Sequence, residues 1–354
     1  MSSNTELFLP EFEPLDEAAL AHARAKWNAV AKPIGSLGEL ESMVEKIAGL
    51  TGDADVDLSK RAVVVLCADN GVVSRGVSQS GPDVTTAVAS NIARNVSSVC
   101  MMASTARIDA YAVDMGMMKP PDDERVIDRS MGRGTADITV GPAMSREVAL
   151  AAVRNGIELV SDFKEQGYRI LATGEMGIGN TTTSSAMAAA FLGMEPSEVT
   201  GRGAGLSDEG LARKVAAIED ALRVNAPDHE DPLGVLASLG GFDIAGLVGM
   251  FIGGAVHRVP IVIDGFISAL AAYTASRLSP GCECAMLASH VSAEPAACML
   301  LEALGLHAPI QAGLRLGEGT GAVLLLPMLD AALALYNGTT FDETGIEAYE
   351  VLPR

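Results

Sequence analysis

The run Ala62-Val63-Val64-Val65-Leu66-Cys67-Ala68, followed at once by Asp69-Asn70-Gly71, constrains the fold more than any other stretch of the chain. It leaves no polar face, so a strand built from it must be covered on both sides, as strands of parallel α/β sheets are. The pattern recurs. Ile108-Asp109-Ala110-Tyr111-Ala112-Val113 ends on Asp114, Tyr168-Arg169-Ile170-Leu171-Ala172 leads to Glu175, Val259-Pro260-Ile261-Val262-Ile263 ends on Asp264, and Met286-Leu287-Ala288 leads to His290. Helical patterns fill the intervals, among them a segment that runs through about Ala93 after a polar loop over 76–86, 145–165 with Ser145 as its cap and Glu147 and Glu158 in its exposed register, and a small-residue run from Gly240 to Gly254 whose glycines allow a second backbone to approach. This alternation predicts an α/β fold with a mainly parallel sheet flanked by helices, and a ligand lying outside the carboxyl ends of the strands. Asp69, Asp114, Glu175, Asp264 and His290 all fall at those ends, some as helix caps and some as ligand contacts.

The third of these strands runs into Thr173-Gly174-Glu175-Met176-Gly177-Ile178-Gly179-Asn180-Thr181-Thr182-Thr183, then into an Ala/Met helix pattern. Glycines let backbone N–H groups approach a ligand, and a helix N-terminus adds donors and partial positive charge, so the segment reads as an anion cradle. Its spacing matches neither the dinucleotide fingerprint nor the P-loop. A second glycine loop, Thr200-Gly201-Arg202-Gly203-Ala204-Gly205, is followed by Lys214, and together the two loops point to a phosphate or phosphoribosyl ligand. Residues 15–50 read as two helices broken by Lys32-Pro33-Ile34-Gly35-Ser36-Leu37-Gly38, with Ser36 as the expected cap of the second. The segment 119–138, rich in Pro, Asp, Arg and Gly, reads as a long functional or mobile excursion.

A formal net charge of −20 excludes a phosphate-backbone footprint, so no nucleic-acid partner is expected. Residues 1–6 carry neither a basic nor an apolar leader pattern, and the long apolar stretches are interrupted by Gly, Asp, His or Arg. The expectation is a cytoplasmic protein without a membrane span. The five cysteines, Cys67, Cys100, Cys282, Cys284 and Cys298, look like reduced core thiols, and the five histidines form no ligand spacing, so no metal is expected.

Five motifs, in order along the chain, carry a resemblance. They are Ala68-Asp69-Asn70-Gly71-Val72-Val73, Gly174 through Thr182, Thr200-Gly201-Arg202-Gly203, Gly240-Gly241-Phe242-Asp243-Ile244-Ala245, and Leu314-Arg315-Leu316-Gly317-Glu318-Gly319-Thr320-Gly321-Ala322. Together, from about Lys32 to Leu335, the chain resembles the nicotinate-nucleotide:dimethylbenzimidazole phosphoribosyltransferases. The resemblance implies transfer of 5-phosphoribose from nicotinate mononucleotide to a benzimidazole, giving α-ribazole 5′-phosphate and nicotinate for the cobamide lower ligand. It implies a homodimer, with a Rossmann-like large domain over 32–299 and a small helical domain built from 1–31 and 300–354. It places the general base on Glu318 and a second acid, suited to stabilising a cationic centre, on Glu175. The phosphate and ribose would be held by Gly177, Gly179, Asn180, Thr181, Gly201, Gly203, Gly205, Lys214, Ser292 and Arg315, and the base would lie against Ser78, Ser80, Met176 and Leu316. No metal or organic cofactor is called for.

One loop departs from the family. Ser80-Gly81-Pro82-Asp83-Val84-Thr85-Thr86 stands where relatives commonly have Tyr-Pro-Gln-Glu-Val-Thr, so adenine or a phenolic acceptor stays open beside 5,6-dimethylbenzimidazole. A nicotinamide-dependent oxidoreductase would share the fold class but needs Gly-x-Gly-x-x-Gly after the first strand, where this chain has Asp69-Asn70-Gly71. A non-catalytic partner subunit would keep the fold and lose the base, whereas Glu318 is present.

Overall fold

The computed structural model describes residues 9–349, and the leader reading of residues 1–6 falls outside them. Six strands form one sheet: β1 (Arg61–Ala68), β2 (Asp109–Gly116), β3 (Ile127–Asp128), β4 (Ile170–Met176), β5 (Ile261–Ile263) and β6 (Met286–Ala288). Every pairing is parallel and the order is β3-β2-β1-β4-β5-β6. The chain builds outward from β1 to β3, returns to lay β4 against the other side of β1, and continues to β6. The order therefore reverses between β1 and β4, which makes the carboxyl ends of that pair a topological switch point, the place where open α/β sheets leave a crevice.

β1 shows why its apolar run has no polar face. Ala62, Val64, Leu66 and Ala68 point into the core on one side of the sheet, Val63, Val65 and Cys67 into the core on the other. The first side is covered by helices including Arg146–Glu165, Phe242–His257 and Phe266–Leu278, the second by Glu39–Thr51, Asp83–Ala93, Ser98–Thr105 and Thr320–Tyr336. A smaller cluster joins the helices from the two ends of the chain: Ala23 and Trp27, Val44 and Ala48, Ala332 and Tyr336, with the Trp27 and Tyr336 rings 4.8 Å apart.

The small-residue run becomes helix Phe242–His257, buried along almost its whole length, and the backbone it admits belongs to the same chain. It lies so close to Arg146–Glu165 that a Cβ on Gly156 would sit 2.1 Å from the Gly246 carbonyl oxygen, and one on Gly249 2.0 Å from that of Val153. Neither backbone can yield alone. Gly249→Ala is expected to destabilise the fold by about 3 kcal/mol, the upper range for overpacking, seen as a lower urea midpoint at unchanged m. An unchanged midpoint would mean that the two helices part at little cost.

Two local expectations are corrected. Ser36 is not a cap: the second helix starts at Glu39 after Gly38 without a side-chain cap, and the Leu37 N–H donates instead to Glu41 Oε1 at 2.8 Å. Glu41 also pairs with buried Lys32 at 2.7 Å, which makes Lys32 a structural residue. The excursion at 119–138 is pinned rather than mobile: it contains β3, and the Arg129, Met131, Gly134 and Thr135 N–H groups donate to the carbonyls of Asp114, Met115, Gly116 and Asp69. Helix Ser98–Thr105, capped by Ser97 Oγ on the Cys100 N–H, was not read from the sequence.

Candidate active site

The carboxyl ends of β4, β5 and β6 open into a cleft of about 350 Å³, in the range of small-molecule sites. Not every acid at a strand end belongs to it. Asp114 Oδ1 accepts from the Gly116 and Met117 N–H groups and Asp69 Oδ2 from that of Met118, so these two close turns at the ends of β1 and β2. Glu175, Asp264 and His290 do line the cleft.

The floor is the junction of β4 with the loop before helix Thr320–Tyr336. Gly317, Glu318 and Gly319 have φ of +84°, +59° and +85°, three left-handed residues in a row. For the two glycines this conformation is free of steric penalty; for Glu318 it costs on the order of 1 kcal/mol, strain of the kind that collects at functional sites. The surroundings hold it. Asp264 Oδ2 accepts from the Gly319 N–H at 3.2 Å, and its Oδ1 from those of Gly321 at 2.8 Å and Ala322 at 3.0 Å, so a residue at the end of β5 caps the following helix from outside. β4 passes beneath at Gly174, where a Cβ would lie 2.7 Å from the Glu318 carbonyl oxygen. The Glu318 carboxylate then reaches the first turn of helix Ser98–Thr105, where Oε2 accepts from the Val99 N–H at 3.3 Å. Burial raises its pKa above the usual glutamate range, and the Val99 N–H draws it partly back.

Glu175 sits beside this loop, with its Oε1 2.9 Å from where a Gly317 Cβ would be. Its other oxygen accepts from Asn180 Nδ2, which also donates to Asp243 Oδ2 at 2.9 Å. One amide thus bridges half-buried Glu175 and fully buried Asp243. Burial, reinforced by the neighbouring Asp243, pushes Glu175 up to about 8, and burial pushes Asp243 to about 6. The site holds Glu175 ready to ionise when positive charge arrives.

The far wall is the glycine cradle. Helix Asn180–Leu192 starts behind Gly179, itself left-handed at φ +93°, with no side-chain cap; the Asn180 and Thr182 N–H groups turn back to the Gly177 and Gly179 carbonyls, and Thr181 lines the cleft. Gly177 cannot carry a side chain, since a Cβ would meet the Ala68 carbonyl oxygen at 2.4 Å. Gly203 packs against the cradle, a Cβ there falling 3.0 Å from Thr181 Oγ1, and Ser78, Ser80, Arg315 and Leu316 complete the lining. Gln79 Nε2 donates to the Gly205 carbonyl at 2.5 Å and joins the two mouth loops. Arg315 makes no ion pair or hydrogen bond among the described residues, whereas Arg202 is committed to the Leu206 carbonyl and Asp208.

Most of the expected residues therefore meet: Glu318, Glu175, Met176, Gly177, Gly179, Asn180, Thr181, Gly203, Ser292, Arg315, Leu316, Ser78 and Ser80 all line the cleft. Lys214, expected as a point charge on the ligand, does not. It is fully buried behind the cradle, where Nζ donates to Thr181 Oγ1 at 2.9 Å and the Gly201 carbonyl at 3.1 Å, tying the two glycine loops together. Burial lowers its pKa to about 8. Gly201 and Gly205 also stand back from the wall. Asp243, the Val99 N–H and Glu294 were not singled out. A carboxylate in an apolar helix such as Phe242–His257 was the available signal for the first.

A family model described as phosphoribosyltransferase matches residues 12–346. The nicotinate-nucleotide–dimethylbenzimidazole phosphoribosyltransferase of Ruminiclostridium cellulolyticum is 43% identical over 339 residues, covering 96% of each chain. That of Roseiflexus sp. is 45% identical over 335 residues, 94% of this chain and 95% of its own. Among solved structures, the nicotinate-nucleotide–dimethylbenzimidazole phosphoribosyltransferase of Thermus thermophilus superposes with a TM-score of 0.86 at 37% identity, over 94% of this chain and 99% of its own. Among the described residues no helix is long and apolar enough to cross a membrane.

Proposed function

The chain belongs to the nicotinate-nucleotide:dimethylbenzimidazole phosphoribosyltransferase family, and from this premise we propose that its cleft moves 5-phosphoribose from nicotinate mononucleotide to 5,6-dimethylbenzimidazole. The products are α-ribazole 5′-phosphate and nicotinate, as nucleotide-loop assembly of cobalamin requires. The observation that carries the mechanism is the strained, half-buried Glu318 carboxylate on the cleft floor.

The acceptor azole has one N–H and one ring nitrogen with a lone pair. Glu318 takes the N–H proton while the other nitrogen forms its bond to C1′, so the acceptor leaves the step neutral. The C1′–N bond to nicotinate breaks with its electron pair passing to the pyridine nitrogen, which loses its positive charge. Attack opposite the leaving group converts a β-linked donor into an α-linked product. Charge on the ribose grows in the transition state, and ionised Glu175 opposes it from the β4 side. The phosphate rests on the N–H groups around Gly177 to Thr181, with Arg315 at the mouth as counter-charge. The base packs between Met176, Leu316, Ser78 and Ser80. As the family resemblance implies, we take the chain to work as a homodimer, and to work in the cytoplasm.

Lys214 supports the cradle from behind. Lys214→Met is therefore expected to raise KM for nicotinate mononucleotide about tenfold while kcat stays within about threefold, since one hydrogen-bonded brace is worth on the order of 1 kcal/mol; an equal fall in kcat would place the lysine on the reacting centre instead. The function itself is tested by nicotinate release with 5,6-dimethylbenzimidazole, benzimidazole, adenine and phenol offered in parallel. Release that requires an azole supports the reading and ranks the acceptors. Release with phenol alone would assign a different lower ligand, and release with none would sink the catalytic reading.

A further inference from the structure

The loop that follows β6 carries two acceptors that meet no hydrogen-bond donor among the described residues. The first is His290. Ser289 Oγ lies 2.6 Å from the Ile263 carbonyl oxygen and 3.0 Å from His290 Nδ1. A hydroxyl has one proton, and the short contact to a carbonyl, which can only accept, claims it. Ser289 Oγ must then accept from His290, so the proton of the ring sits on Nδ1. Burial lowers the imidazole's pKa, against the pull of the Asp264 carboxylate 4.0 Å from Nδ1. Nε2 is left with a lone pair and no partner among the described residues, in a ring that lines the cleft. The ring cannot turn away: it packs against Gly321, where a Cβ would fall 2.0 Å from Nδ1, and Nε2 is 3.5 Å from where a Gly265 Cβ would be.

The second is Glu294, four residues on and also on the cleft wall. Its Oε2 is buried without a hydrogen-bond partner among the described residues, the nearby Lys214 ammonium acting on it through charge alone. The carboxylate lies against Gly201, whose Cβ would sit 2.0 Å from Oε2, so the glycine loop is shaped around it. A buried carboxylate oxygen left unpaired costs on the order of 1–3 kcal/mol, and a phosphate cannot relieve that cost, because a phosphate dianion offers no proton.

Under the reading above, the donor substrate carries a phosphate, a carboxylate and a pyridinium nitrogen without hydrogen. Its only hydrogen-bond donors are the 2′- and 3′-hydroxyls of the ribose. We propose that the loop after β6 reads this diol, with His290 Nε2 accepting from one hydroxyl and the Glu294 carboxylate from the other. The pair then fixes the ribose over the Glu175–Glu318 floor and sets the enzyme's preference for ribosyl over deoxyribosyl donors. This assignment rests on the proposed reaction.

The test compares nicotinate mononucleotide with its 2′-deoxy and 3′-deoxy analogues in wild type, Glu294→Gln, Glu294→Ala and His290→Phe, with thermal unfolding as a check on folding. In wild type each missing hydroxyl is expected to lower kcat/KM by on the order of 10- to 100-fold, because it strands a buried acceptor. Glu294→Ala should lose the penalty at one hydroxyl and His290→Phe at the other, to within about threefold. The penalty for removing the phosphate, measured with nicotinate riboside, should persist in both variants. Glu294→Gln keeps the shape and still accepts through its amide oxygen, so it should retain part of the discrimination. Full deoxy penalties in both truncations would overturn the proposal. Should no acceptor support turnover, the reaction assignment fails and the loop is judged by calorimetry. Tighter binding of the ribosyl than of the deoxyribosyl nucleotide, lost in Glu294→Ala, would uphold the diol contact, and equal binding would end it.

Discussion

Glu318→Gln is expected to lower kcat by on the order of 10²–10³ with KM for both substrates nearly unchanged, the signature of a proton acceptor used only in the transition state. The amide keeps the shape of the left-handed loop and can still accept from the Val99 N–H, so folding should be unaffected. The pH profile adds a second reading. Glu318 must be ionised to take the azole proton, and burial raises its pKa above the usual glutamate range. Wild-type kcat/KM should therefore fall as pH drops through that raised value, and the residual rate of the Gln variant should lack this limb. A variant that keeps both rate and limb would place the base elsewhere in the cleft.

How much of this was legible in the sequence follows from what each residue needed in order to be read. β1 and β5 announced themselves because a strand buried on both faces has no room for polar residues, and β2, β4 and β6 because their apolar runs lead to an acid or a histidine; the parallel sheet with its crevice followed. Two-residue β3 is too short for any period, and helix Ser98–Thr105 leaves Met101 exposed at 62%, so its apolar stripe is blurred. Glu318 and Glu175 were found through the motifs, while the reason for the surrounding glycines emerged only in three dimensions, in the crossing of Gly174 beneath Glu318. Lys214 misled because a lysine near a glycine loop suggests a ligand contact, and only packing reveals that its ammonium is turned inward to Thr181 and Gly201. Ser36 misled in a similar way, since a hydroxyl before a helix suggests a cap and a carboxylate one turn inside took the role.

Glu175→Gln should make the protein more stable and less active. The folded protein holds Glu175 at a pKa of about 8 through burial and the nearby Asp243, while in the unfolded chain it returns to an ordinary value near 4.3. Because the folded value is the raised one, stability is full below the unfolded pKa and declines as pH rises between the two, at up to about 1.4 kcal/mol per pH unit. The amide removes that decline while still accepting from Asn180 Nδ2. At pH 8 the variant should exceed wild type by on the order of 4–5 kcal/mol, seen as a Tm several degrees higher, and the difference should vanish below about pH 4. Turnover should fall about tenfold or more, since the charge opposing the cationic ribose is gone. Equal stability at both pH values would show that Glu175 is already ionised in the free protein. The expected gain in the Gln variant would make Glu175 a group that the site retains for its chemistry at a cost in stability.

The most direct test of the central claim is to incubate the protein with nicotinate mononucleotide and 5,6-dimethylbenzimidazole, quantify nicotinate by chromatography, and determine the anomeric configuration of the nucleotide product by NMR. One equivalent of α-ribazole 5′-phosphate per nicotinate released, with no release when the base is left out, is the result that inversion driven by Glu318 predicts. Nicotinate released without the base, or a β-linked product, would contradict it.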